Sequence, residues 1–106
     1  MEEYKPVTLN GTRYLVRMTG QDSIDIEDEL GMLMRDACKT MSMKIAACVV
    51  GHSILYEDKQ KVPSKEWKKL LKEISVIELL NAATAVLGVG ADTEQAEETD
   101  GDSEKN

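Results

Sequence analysis

One stretch constrains this chain more than any other. From Ile45 to Leu55, the residues Ile45, Ala46, Ala47, Cys48, Val49, Val50, Ile54 and Leu55 fall on nearly every side of a helix. A helix that is apolar all round has no face to give to water, so other elements must enclose it. Ser42 supplies a capping hydroxyl, and the pattern predicts a helix from there to about Tyr56.

The flanking sequence supplies the cover. Lys5 to Met18 predicts a β-hairpin, because Asn10-Gly11 provides the positive φ values of a type I′ turn. Val7 and Leu9 alternate before the turn; Tyr14, Val16 and Met18 alternate after it, opposite Arg13 and Arg17. Two strands alone are marginal in water, so the hairpin must lean on helices. Asp22 or Ser23 can cap a first helix whose stripe is Ile26, Leu30, Leu33 and Ala37, with Gly31 as an end or a kink. Glu57 to Val62 is a polar loop, after which Pro63 and Ser64 open a third helix burying Trp67, Leu70, Leu71 and Ile74. Ser75 and Glu78 form a capping box ahead of a fourth helix with the stripe Val76, Leu79, Leu80, Ala83 and Leu87, ended by Gly88 and Gly90.

Charge divides the chain of 106 residues. Between Asp92 and Asn106 stand seven acids against Lys105 alone, within a net charge of −7. No Leu, Ile, Val, Met or aromatic residue follows Ala91, so ordering this segment would cost entropy with no apolar burial in return. The expected architecture is α+β, mainly α. A hairpin packs on about four helices over residues 1–90, and a disordered acidic tail occupies 91–106. One Trp, three Tyr and no Phe leave aliphatic residues and Met to fill a core, which favours packed helices over a β-sandwich.

The sequence is poor in chemistry. Its one histidine, His52, shares a helical stripe with Ile45, Val49 and Tyr56, the pattern of a buried or half-buried core histidine. Cys38 and Cys48 form no Cys-x-x-Cys and lie in apolar stretches, which predicts two buried, reduced thiols and no zinc set. Ile24 and Ile26 occupy alternate positions of the acidic run 22–29, where a calcium loop needs oxygen ligands. No phosphate-binding glycine loop and no nucleophile elbow is present. A non-enzymatic protein with no cofactor and no metal is expected. No apolar run is long enough to span a membrane and the start lacks a basic signal region, so a cytoplasmic location is expected.

Contact with other proteins remains. Met32, Met34, Met41 and Met43 fall within twelve residues, and Met32 lies off the Ile26/Leu30/Leu33 stripe, so part of the cluster is expected to be exposed. Flexible, polarizable side chains suit poorly ordered partners. Lys59, Lys61, Lys65, Lys68, Lys69 and Lys72 gather opposite a single acid, Glu66. That gives a solvated face, a patch complementary to the acidic run, or a phosphate-binding surface centred on Lys68 and Lys69.

The order of elements resembles a known family. The strand pair Val7-Thr8-Leu9-Asn10-Gly11-Thr12-Arg13-Tyr14 leads to a helix ending Ile26-Glu27-Asp28-Glu29-Leu30-Gly31, then an apolar, a lysine-bearing and a small-residue helix. This is similar to the tail assembly chaperones of long-tailed bacteriophages and prophages, over about residues 5–90. Met and Cys replace the more usual Leu and Ala around 32–48. The resemblance implies a protein that binds the tape measure protein, keeps it soluble, helps recruit tail tube subunits, and is absent from the finished virion. It also implies a frameshifted longer form. Glu104-Lys105-Asn106, if encoded GAA-AAA-AAC, contains the slippery heptamer A-AAA-AAC. The readings left standing beside it are a small nucleic-acid-binding regulator using the third helix and a ring-forming structural phage subunit.

Overall fold

The computed structural model describes residues 4–88, and the expected disordered tail and Gly90 lie outside them. The hairpin forms as its turn residues demand. β1 (Lys5–Leu9) and β2 (Thr12–Val16) pair antiparallel with Val7 opposite Tyr14. Between them Asn10 and Gly11 take φ values of 52° and 79°, the left-handed pair of a type I′ turn. The alternation puts Val7, Leu9, Tyr14 and Val16 on the face that meets the core, and Leu9 and Val16 are wholly buried.

α1 (Gly20–Leu30) begins earlier than expected, its cap lying three or four residues before the two expected ones. Thr19, not Asp22 or Ser23, is the N-cap. Its hydroxyl accepts from the Asp22 backbone N–H at 3.1 Å, and the Asp22 carboxylate accepts from the Thr19 N–H at 3.0 Å. This is a capping box with aspartate as its acidic partner. Gly31, at φ 68°, then ends the helix in the left-handed conformation. Of the two roles expected for Gly31, an end or a kink, it takes the first, and α2 (Met34–Lys39) follows as a separate short element that carries Ala37 of the stripe. Leu33, expected in the buried stripe, becomes the cap of α2 and is half exposed.

α3 (Met43–Ser53) is the enclosed central helix. Ser42 caps it through the Ile45 N–H, and the helix serves two core clusters at once. Ala46 and Val50 meet the sheet, Trp67, Leu70 and the last helix; Ile45, Cys48 and Val49 meet Ile26 and Ala37. The helix does not reach Tyr56. It stops at Ser53, and β3 (Ile54–Leu55) joins the sheet in the order β1-β2-β3, with Ile54 opposite Val16 and Leu55 opposite Leu15. Ser53 is fully buried, its hydroxyl donating to the Val49 carbonyl at 2.8 Å.

α4 (Ser64–Leu71) starts directly after Pro63 and buries Trp67 and Leu70. α5 (Val76–Leu87) opens on the expected Ser75/Glu78 capping box and ends at Gly88. Val76 leaves the expected stripe. As the first residue of α5 it precedes the turn that meets the core, and it is exposed with Ile77. Leu79, Ala82 and Ala83 are the buried face, set against β1, β2 and α3. The hairpin turn is moored to the start of this helix. The Asn10 side-chain amide donates to Glu73 at 2.9 Å, and its backbone N–H donates to the Glu78 carboxylate at 3.3 Å. The fold is mainly helical, an N-terminal antiparallel hairpin with five helices. No helix among the described residues is long and apolar enough to cross a membrane.

Candidate functional site

Two features stand out: a set of exposed apolar side chains and a cleft that holds a small group of polar side chains on a largely apolar lining. The four methionines divide between core and surface. Met34, at the start of α2, and Met41, before α3, are partly buried against the core. Met32, in the α1–α2 link, and Met43, the first residue of α3, face solvent. Leu33 adds to the exposed set beside Met32 at 50% exposure. Val76 at 59% and Ile77 at 67% form a second exposed pair. Lys68 and Lys69 are both exposed on α4, and Lys69 lies 3.9 Å from Glu66 of the preceding turn. Of the two expected buried thiols, Cys48 is buried and Cys38 is exposed.

The cleft, about 320 Å³, lies where α3 and α4 meet the end of α1. Trp67 forms part of its lining, with the indole N–H donating to the Ala47 carbonyl at 3.1 Å. The indole can lie this close because residue 51 is glycine: a Cβ there would sit 2.5 Å from Nε1 of Trp67. Cys48 and His52, four residues apart, project from one face of α3. The last turn of α1 brings Glu29 to them.

Nε2 of His52 lies 2.8 Å from Oε1 of Glu29, and the donor atoms of Glu29, Cys48 and His52 all lie within 4.8 Å of one another. The hydrogen bond from His52 outweighs burial and holds the Glu29 carboxyl below its ordinary range. Burial first, then the charge of Glu29, pushes the Cys48 thiol up to about 12. Such a thiol is not a nucleophile at neutral pH, and His52 is directed at the carboxylate; the trio is not an activated Cys–His pair.

A second polar group braces the same end of α3. Lys61 Nζ donates to the His52 carbonyl and, at 2.7 Å, to Oδ1 of buried Asp22. Burial alone would raise the Asp22 carboxyl. The hydrogen bonds from Lys61 and Thr19, with the lysine charge, hold it below the ordinary value instead. One lysine thus ties the start of α1 to the end of α3.

The i, i+4 spacing of Cys48 and His52 was visible in the sequence. Glu29 was not, because only the packing of α1 on α3 brings it near. Compared with known proteins, the chain matches no protein-family model, no curated protein and no solved structure.

Proposed function

We propose that this chain is a tail assembly chaperone of the long-tailed phage kind, a binding protein that holds a largely helical partner by apolar contact. One observation carries the reading. Met32, Leu33, Met43, Val76 and Ile77 stand exposed on a body that already has a complete core. Full burial of an isoleucine contributes about 1.5–3 kcal/mol, so covering two-thirds-exposed Ile77 alone returns roughly 1–2 kcal/mol to a complex. The exposed methionines suit a partner of imprecise shape. On this reading the partner is the tape measure protein, held soluble in the host cytoplasm until tail tube subunits displace the chaperone, which does not enter the virion.

Co-expression with a long coiled protein encoded just downstream tests the proposal. The expected result is a soluble complex that copurifies, lost on Leu33→Asp or Ile77→Asp while the melting temperature of the chaperone itself is unchanged. A coiled partner equally insoluble with and without this chain would sink it. Salt-sensitive DNA binding abolished by Lys68→Glu and Lys69→Glu would favour the regulator instead.

A further inference from the structure

The structure assigns a transition-metal site to Glu29, Cys48 and His52, with Zn²⁺ as the ion it fits. The three side chains offer one oxygen, one sulfur and one nitrogen, with all donor atoms within 4.8 Å of one another. This mixed set belongs to borderline-soft ions rather than to calcium or magnesium, which take oxygen ligands. Tetrahedral zinc bonds of 2.0–2.3 Å place neighbouring donors about 3.3–3.6 Å apart. Insertion of the ion therefore widens the 2.8 Å contact between Glu29 and His52 by about half an ångström, within the reach of side-chain torsions.

Charge supports the assignment independently of spacing. A dication with one thiolate, one carboxylate and one neutral imidazole is electrically neutral, and a neutral unit is what a partly enclosed site flanked by buried Cys48 can hold. Two of the ligands stand on one face of a single helix, so that half of the site is fixed before the ion arrives. The third comes from the turn just before Gly31, which ends α1. All three line the same cleft, so the fourth position of a tetrahedral ion opens into it, as in zinc sites that keep a water or an exchangeable ligand. Bound metal would join α1 to α3 beside the lysine clasp made by Lys61. Nothing in this assignment depends on the chaperone reading.

Zinc binding to the full chain, measured by elemental analysis after dialysis and by calorimetric titration, tests it. The expected result is one ion per chain and a melting temperature raised by about 10–20 °C at a hundredfold excess over Kd. Cobalt in place of zinc should give a thiolate-to-metal charge-transfer band and the intense visible bands of a tetrahedral site. Cys48→Ser should abolish the charge-transfer band, and Cys38→Ser should leave it intact. Glu29→Gln and His52→Gln should each weaken binding by at least about tenfold. The Glu29→Gln variant keeps a hydrogen-bonding partner for His52 at a largely exposed position, so it stays informative if Cys48→Ser fails to fold. Absence of stoichiometric binding, or binding undiminished in Glu29→Gln and without a thiolate band, would overturn the assignment. The latter pattern would mark adventitious binding to other acidic groups.

Discussion

Gly51→Ala sets two well-known effects against each other, and the structure decides between them. Within a helix, alanine is favoured over glycine by about 1 kcal/mol, so the substitution should stabilise α3 on propensity alone. Its methyl carbon, however, would stand 2.5 Å from Nε1 and 2.6 Å from Cδ1 of Trp67. The indole cannot yield as a flexible chain end would, because it is 6% exposed and its N–H is bonded to the Ala47 carbonyl. Overpacking of this kind costs about 1–3 kcal/mol, and displacing the indole forfeits a hydrogen bond worth about 1 kcal/mol. After the propensity gain the net loss is about 1–3 kcal/mol, a fall in melting temperature of at least about 4–8 °C for a domain of this size. Trp67 is the only tryptophan, so its emission reports the displacement directly during urea unfolding. Gly20→Ala is the matching control, since a Cβ there meets nothing within 4 Å; it should be neutral or slightly stabilising. A Gly51→Ala protein as stable as the Gly20→Ala variant, with unchanged emission, would refute the argument.

Two further predictions concern the polar braces. Thr19→Ala removes the hydroxyl that caps α1 and should cost about 1 kcal/mol in urea unfolding, while Thr19→Ser should retain most of the stability. Asp22 has a folded-state pKa below its ordinary 3.8, so its contribution is fully present above that value and is lost as pH falls from there through the folded pKa. Urea midpoints measured against pH should therefore fall more steeply on the acid side for the parent than for Asp22→Asn; parallel curves would show that the Lys61 contact has no such effect.

Where local chemistry dictates structure, the sequence was legible. Asn10-Gly11 and Ser75/Glu78 act over four residues, and the turn and the capping box formed where their side chains required. The core assignment of α3 was equally secure, because no arrangement leaves such a helix exposed. What escaped was decided by contacts distant in sequence. Ile54 and Leu55 fit a helix and a strand equally well as a short apolar run, and pairing with Val16 and Leu15 settled the matter. Thr19 took the cap because Asp22 could answer it from the third helical position, a partnership disguised by the expectation of Glu or Gln there. Leu33 and Val76 matched their stripes by spacing, yet each sits at a helix end where the phase of the stripe no longer applies. The cleft was half readable: one helix carries Cys48 and His52, whereas Glu29 is nineteen residues before Cys48 and arrives through packing alone.

The packing of β1 under α5 fixes an order of events during synthesis. The first strand leaves the ribosome roughly seventy residues ahead of the helix that covers it, and a lone hairpin is marginal in water. Leu9 and Val16 therefore remain without their full cover until Leu79, Ala82 and Ala83 have been made. Asn10 likewise finds its partners Glu73 and Glu78 only once that later part of the chain has been made.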